Sequence, residues 1–156
     1  MKIVNLTPHA LHIRRADGTN IVVEPSGIVP RLAVSRTECA PVACEDGAEI
    51  TVSRATFGAL TGMPMPSRFC LQCGATTARH ERINGCIKCA SGPITKDDNK
   101  HLVPVVFVVS ALCAQAPEMA ERDDVFAPGE AIRDDSGKII GSQGLSYITP
   151  IAPVRL

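Results

Sequence analysis

The sequence predicts a β-rich α+β single domain with a short helix and an inserted four-cysteine zinc ribbon. Three observations predict it. Short apolar runs alternate with turn-forming residues along most of the chain, which is typical of strands. Two Cys-x-x-Cys pairs lie close together in the middle. The chain has 156 residues, of which 45% are hydrophobic, and this suits one globular core.

The N-terminal third is predicted to contain three strands and a hairpin. Residues 2–6 are predicted to form a strand, and residues 10–15 alternate between apolar and polar side chains. Residues 16–19 carry Asp and Gly, which favour a tight turn into a third strand at residues 20–24. We expect an antiparallel pair here.

Two further short strands are predicted at residues 31–35 and 49–53, with residues 37–47 as a loop between them. Residues 62–66 contain one Gly and two Pro, which neither a helix nor a central strand accommodates. This segment is therefore predicted to be a boundary. It divides a main domain, residues 1–66 and 102–156, from an insert at residues 67–101.

Residues 105–109 are five consecutive apolar β-formers and predict a central buried strand. Ser110 is placed as the N-cap of a short helix at residues 111–116.

The last third is predicted to return to strands. Residues 123–127 favour a strand that ends at the turn Pro128-Gly129. A second hairpin is predicted between residues 131–133 and 138–140, because Asp and Gly lie between them.

The cysteine pattern predicts a metal site. Cys70 and Cys73 form one Cys-x-x-Cys pair, and Cys86 and Cys89 form a second. Each pair places two sulfur atoms on one side of a tight turn, so together they match the tetrahedral preference of Zn²⁺. We expect one structural zinc ion per chain; an iron site or a redox dithiol is the alternative. Four thiolates leave no open position for water, so no catalysis is assigned to this site.

Four polar residues at the ends of predicted strands are candidate ligand-binding residues: His9, Arg31, Ser110 and Arg133. An Arg near a strand end needs a counter-charge, and the N–H groups after Ser110 favour an anion. If these corners converge, they suit a phosphate or a carboxylate. The alternative is that each makes turns or surface ion pairs only.

These corners also carry a resemblance. The chain resembles a family of small phage and bacterial proteins of unassigned function in four places: Asn5-Leu6-Thr7-Pro8-His9, Pro25-Ser26-Gly27, Val108-Val109-Ser110, and Arg133-Asp134 followed by Gly137 and Gly141. The resemblance covers most of the chain outside residues 67–101. It implies a phage or mobile-element context, in which small proteins can sequester nucleotide signals of bacterial defence systems.

These observations suggest three classes of function, which we rank by how well the sequence supports them. The first is a zinc-containing binding protein that holds a small anionic, nucleotide-like ligand, and that sequesters a defence signal. The second is an interaction module whose zinc ribbon contacts protein or nucleic acid. An enzyme ranks third and stays uncertain, because the sequence has no nucleophile elbow, phosphate-binding glycine loop or zinc-hydrolase motif.

Composition restricts the partners. The formal net charge is zero and aromatic residues are only 3%, which argues against a stacking platform for single-stranded nucleic acid. No segment has the pattern of a signal peptide or of a membrane span, so we expect a cytoplasmic protein. Homo-oligomerisation is left open.

Overall fold

Strands dominate the structure. A computed structural model describes residues 1–78, 89 and 101–148. The strands are β1 (Lys2–Asn5), β2 (Leu11–Arg14), β3 (Asn20–Val23), β4 (Arg31–Ala43), β5 (Glu49–Thr61), β6 (Ser67–Cys70), β7 (Thr76–Ala78), β8 (Leu102–Val108), β9 (Val125–Arg133) and β10 (Ile139–Ser146). The α-helical part of the described residues is α1 (Ala111–Ala114), which precedes a 3-10 helix at Pro117–Met119. The β-rich prediction is confirmed.

Eight of the strands form one curled sheet in the order β3-β2-β10-β9-β8-β6-β7, with β1 also paired to β8. Strand β8 lies at the centre, parallel to β1 and β9 and antiparallel to β6. Residues 105–109 are at most 7% exposed, so the predicted buried strand is confirmed. The strand itself starts earlier than predicted, at Leu102, because its first residues pair with β6.

The main core lies between this sheet and the short helix. Buried side chains of β8 and of the segment 113–119 form one cluster, which includes Phe107, Cys113 and Met119. Ser110 caps the helix as predicted, since the N–H of Cys113 donates to Ser110 Oγ at 3.3 Å. The helix ends two residues earlier than predicted, at Ala114.

Both predicted hairpins are present, and each has an Asp in its turn. In the β2–β3 turn, Asp17 accepts hydrogen bonds from the hydroxyl and the N–H of Thr19. In the β9–β10 turn, Asp134 accepts from the hydroxyl and the N–H of Ser136. The hydroxyl of Thr19 is the main cause that lowers the pKa of Asp17, and the hydroxyl of Ser136 does the same for Asp134.

The predicted turn at Pro128-Gly129 is wrong, because β9 continues through both residues to Arg133. Pro128 lies opposite Leu145 in the ladder with β10. At Gly129 the two backbones come so close that an added Cβ would lie 2.1 Å from the carbonyl oxygen of Gln143. Glycine is therefore required here for strand contact and not for a turn.

The prediction for residues 31–53 is also wrong in extent. Strands β4 and β5 have 13 residues each and pair along their length, so most of the predicted loop 37–47 is strand. Only Cys44–Ala48 forms the turn, closed by the N–H of Cys44 on the carbonyl of Ala48 at 2.7 Å. Pro41 lies within a bulge between Cys39 and Val42, where the ladder is interrupted, and the strand therefore tolerates a residue without an N–H.

The predicted insert begins inside the main sheet. Strand β6 pairs with β8 on one side and with β7 on the other. The first strand of the predicted insert is thus an ordinary member of the large sheet, while residues 79–88 and 90–100 lie outside the described residues. Within the described chain, no helix is long and apolar enough to cross a membrane.

Candidate metal centre

The first cysteine pair lies in a tight turn at the end of β6. Cys70 is fully buried, and its N–H donates to the carbonyl of Ala75 at 2.8 Å. Its carbonyl accepts from the N–H of Gly74 at 2.9 Å, and Gly74 has φ +71°. The left-handed conformation of Gly74 turns the chain back towards β7. The strand end thereby holds Cys70 at a defined position.

A second set of contacts ties this turn to the far side of the predicted insert. The N–H of Leu71 donates to the carbonyl of His101 at 2.9 Å, and Cys70 pairs with Leu102 in the sheet. Cys70 and Ala75 form a small buried cluster, against which Cys89 and Leu102 pack. The site is therefore anchored directly on β8.

Three sulfur atoms converge at this turn. The Sγ atoms of Cys70, Cys73 and Cys89 all lie within 4.8 Å of one another, and those of Cys70 and Cys89 are 3.7 Å apart. A disulfide bond is about 2.0 Å long, so the Cys70–Cys89 contact is not a disulfide. These three residues can hold a metal ion. Cys86, the fourth predicted ligand, lies outside the described residues.

The remaining described cysteines are elsewhere. Cys39 is exposed on β4, and Cys44 lies at the start of the β4–β5 turn. Cys113 is buried in the main core, where its Sγ lies 3.6 Å from the carbonyl oxygen of Pro30. Among the described residues, Cys70, Cys73 and Cys89 form the one group with metal-ligand geometry.

Two of the four predicted anion-binding residues share a surface depression of about 320 Å³. Arg31 and Ser110 both line it, together with Thr7 and Pro8 from the loop after β1. The other lining residues are mainly apolar and include Val29, Pro30, Leu32, Val34 and Leu112.

The other two predicted residues lie outside this depression. The guanidinium of Arg133 donates from Nη1 to the carbonyl of Gly137 at 2.7 Å, within its own hairpin. His9 is exposed and does not line the depression, although Pro8 does. The four predicted residues therefore do not line one depression. Arg31 and Ser110 share it, and His9 and Arg133 lie elsewhere.

Asn5 has a structural role that the sequence interpretation missed. It is only 1% exposed, and its Nδ2 donates to the carbonyls of His9 (2.7 Å) and Val23 (2.9 Å). Its Oδ1 accepts from the N–H and the hydroxyl of Thr7. Asn followed two residues later by Thr is the local signal of such a turn. Asn5 thus joins β1, the following loop and β3.

A partly buried ion pair also lies near the boundary segment. Arg122 donates from Nε and Nη2 to the two carboxylate oxygens of Asp124, at 2.6 and 3.1 Å. Its Nη1 donates to the carbonyl of Pro64 at 3.0 Å, and the guanidinium lies 5.7 Å from the ring centroid of Phe107. The pair therefore fastens the segment at residues 62–66 to the main sheet.

Comparison of the chain with protein-family profiles, with curated proteins and with solved structures gives no match.

Proposed function

We propose that the chain is a small zinc-containing binding protein that holds an anionic, nucleotide-like ligand in the depression beside Arg31 and Ser110. The zinc ion has a structural role in this proposal. It is held by Cys70, Cys73, Cys86 and Cys89. In the phage or mobile-element context that the sequence resemblance implies, the ligand is a signal nucleotide that the protein sequesters.

The sulfur geometry fits a tetrahedral thiolate-bound metal such as zinc. A tetrahedral site with Zn–S bonds of about 2.3 Å has neighbouring sulfur atoms about 3.8 Å apart. The Cys70–Cys89 sulfur distance of 3.7 Å matches that edge. Soft thiolate ligands disfavour Mg²⁺ and Ca²⁺, which prefer oxygen. A closed site of this kind contributes about 10 kcal/mol of apparent folding free energy.

Elemental analysis of the purified chain tests the metal. We expect one zinc per chain in the wild type, loss of that zinc in Cys70→Ser, and full zinc content in Cys39→Ser. Cys39 is the matched control, because it is an exposed cysteine of β4 outside the metal site. Cobalt substitution adds a test of the ligand set, since tetrathiolate Co²⁺ has intense visible absorption. A zinc-free protein would refute the proposal.

Limited proteolysis tests whether zinc stabilises only residues 67–101 or the whole fold. We expect Cys86→Ser to expose mainly residues 67–101 to cleavage, while the core around β8 stays protected. General digestion would contradict this expectation and would show that zinc stabilises the whole fold through the pairing of β6 with β8.

The observation that carries the ligand proposal is the composition of the depression. Its volume of about 320 Å³ is at the lower end of small-ligand sites, and apolar walls with a few polar groups are typical of them. Val29, Leu32 and Leu112 offer apolar surface to a base. Arg31 carries a guanidinium fork that suits a phosphate, and Ser110, whose oxygen accepts from the N–H of Cys113, has a hydroxyl proton to donate.

Calorimetric titration with mononucleotides and cyclic dinucleotides tests this proposal. We expect saturable binding of at least one of these probes to the wild type, and loss of a charge-assisted hydrogen bond in Arg31→Ala weakens it about 10- to 100-fold. Arg54→Ala is the matched control, since Arg54 is an exposed arginine of β5 that does not line the depression. Equal loss in both variants, or no binding of any probe, would contradict the proposal.

The interaction-module reading remains the second candidate. Leu71 is 63% exposed although it lies between two of the metal-site cysteines, and exposed apolar residues on a rigid turn are suited to a protein contact. If the nucleotide titrations fail, a Leu71→Ser variant that loses a protein partner but keeps its zinc would support this candidate.

A further inference from the structure

The β4–β5 hairpin, residues 31–61, extends from the main sheet as an arm. Only Leu32, Val52 and Leu60 are half-buried in its strands, and the other strand residues are exposed. Leu32 and Leu60 at its base pack against the main core. The N–H of Leu60 donates to the carboxylate of Glu118 at 3.1 Å. The backbone N–H of Glu118 itself and, second, that of Leu60 lower the pKa of this carboxyl. The described structure thus fixes the arm at its base.

Such an arm is incomplete by itself. A two-stranded hairpin is only marginally stable in water, and three or more strands with an apolar face are needed for independent stability. The arm also exposes four large apolar side chains by at least half: Val34, Val42, Ile50 and Phe57. Val34 and Phe57 lie opposite each other in the ladder and so share one face.

The charges along β4 indicate what completes the sheet. Arg36 and Glu38 are two positions apart in a strand, so they lie on the same face with Thr37 between them. If a second copy of β4 runs antiparallel about a twofold axis at Thr37, each Arg36 lies opposite Glu38 of the partner subunit. This arrangement forms two opposite-charge cross-strand pairs from a single Arg and a single Glu.

We propose that two copies of this chain associate through the open edge of β4, antiparallel about Thr37, so that their arms form one four-stranded sheet. The pairing uses residues 35–39, which lie within the regular part of β4 between its two bulges. Pro41 limits the pairing beyond that stretch, because it has no N–H to donate.

The open edge of β5 lacks this complementarity. In an antiparallel pair related by a twofold axis, residues that face each other are an even number of positions apart. On β5, Glu49 and Arg54 are five positions apart and lie on opposite faces. They cannot lie opposite each other across such an axis, and the charge pattern therefore selects β4.

Sedimentation velocity of the full, zinc-loaded chain over a wide concentration range tests the proposal. We expect a reversible dimer for the wild type. Arg36→Glu places like charges opposite each other twice, as does Glu38→Arg, and each should raise the dimer dissociation constant about tenfold or more. Mixing the two single variants restores every opposite-charge pair, so we expect a heterodimer of wild-type affinity.

Arg54→Glu is the matched control, because it makes the same charge change on the other strand and the other face. It should leave the dimer intact. The double variant Arg36→Glu/Glu38→Arg should also dimerise, because it exchanges the two charges and so restores both opposite-charge pairs. A wild type that is monomeric at every concentration would overturn the proposal, as would a mixture of single variants that fails to associate. Dissociation by Arg54→Glu equal to that by Arg36→Glu would also overturn it and would point to an unrelated partner surface.

Discussion

Replacement of Asn5 by alanine should destabilise the fold more than alanine substitution of any other polar residue near the N-terminus. The substitution removes four hydrogen bonds, two donated to the carbonyls of His9 and Val23 and two accepted from Thr7. A hydrogen bond contributes about 0.5–1.5 kcal/mol net, and a buried group left without a partner costs more. Because His9 is exposed and its carbonyl also accepts from the Thr7 hydroxyl, part of the loss is recovered. We expect a fall of about 2–4 kcal/mol in the free energy of unfolding.

The assay is urea denaturation of the zinc-loaded protein, followed by far-ultraviolet circular dichroism. Asn20→Ala is the matched control: it is the same residue type, exposed at the start of β3, and should change stability by about 0.5 kcal/mol or less. Asn5→Asp is a second variant of the same size. It keeps an acceptor for Thr7 but loses both donors and buries a charge, so it should be at least as destabilising as Asn5→Ala.

A loss below about 1 kcal/mol in Asn5→Ala would refute this reasoning. It would mean that water replaces the side chain and that the loop after β1 does not depend on it. A loss in Asn20→Ala equal to that in Asn5→Ala would also refute it, because burial would then not distinguish the two positions.

Three further predictions follow from the structure. Asp124→Ala should lower the free energy of unfolding by about 3–5 kcal/mol in urea denaturation, because it leaves the guanidinium of Arg122 partly buried without its carboxylate; a change below about 1 kcal/mol would contradict this. Thr19→Val should raise the pKa of Asp17 in an NMR titration, since its hydroxyl is the main cause of the lowered value; this carboxylate favours the fold at pH values above the ordinary Asp pKa, and its contribution is lost as pH falls through the lowered pKa. Chelation of the metal should lower the thermal midpoint of the wild type but not that of Cys70→Ser; an identical shift in both would exclude a metal role for this cysteine.

The candidate site was predictable where a repeated motif identifies its residues. The turn at Cys70–Gly74 follows from one Cys-x-x-Cys pair and a glycine, and the approach of Cys89 follows from the repetition of that spacing. The anion-site prediction needed four separate corners to meet. Arg31 and Ser110 do share a depression, but Arg133 is committed to its own turn through the carbonyl of Gly137.

The sequence by itself determined the local features: the hairpin turns at Asp17-Gly18 and Asp134–Gly137, the buried strand at residues 105–109, and the cap at Ser110. Each depends on residues within a few positions, where dihedral preferences and side-chain periodicity decide the conformation. Tertiary structure alone decided that β9 runs through Pro128-Gly129, because close contact with Gln143 of a neighbouring strand requires glycine there. It also decided that the segment around Pro41 is strand, because pairing with β5 outweighs the local preference of a proline that a bulge accommodates.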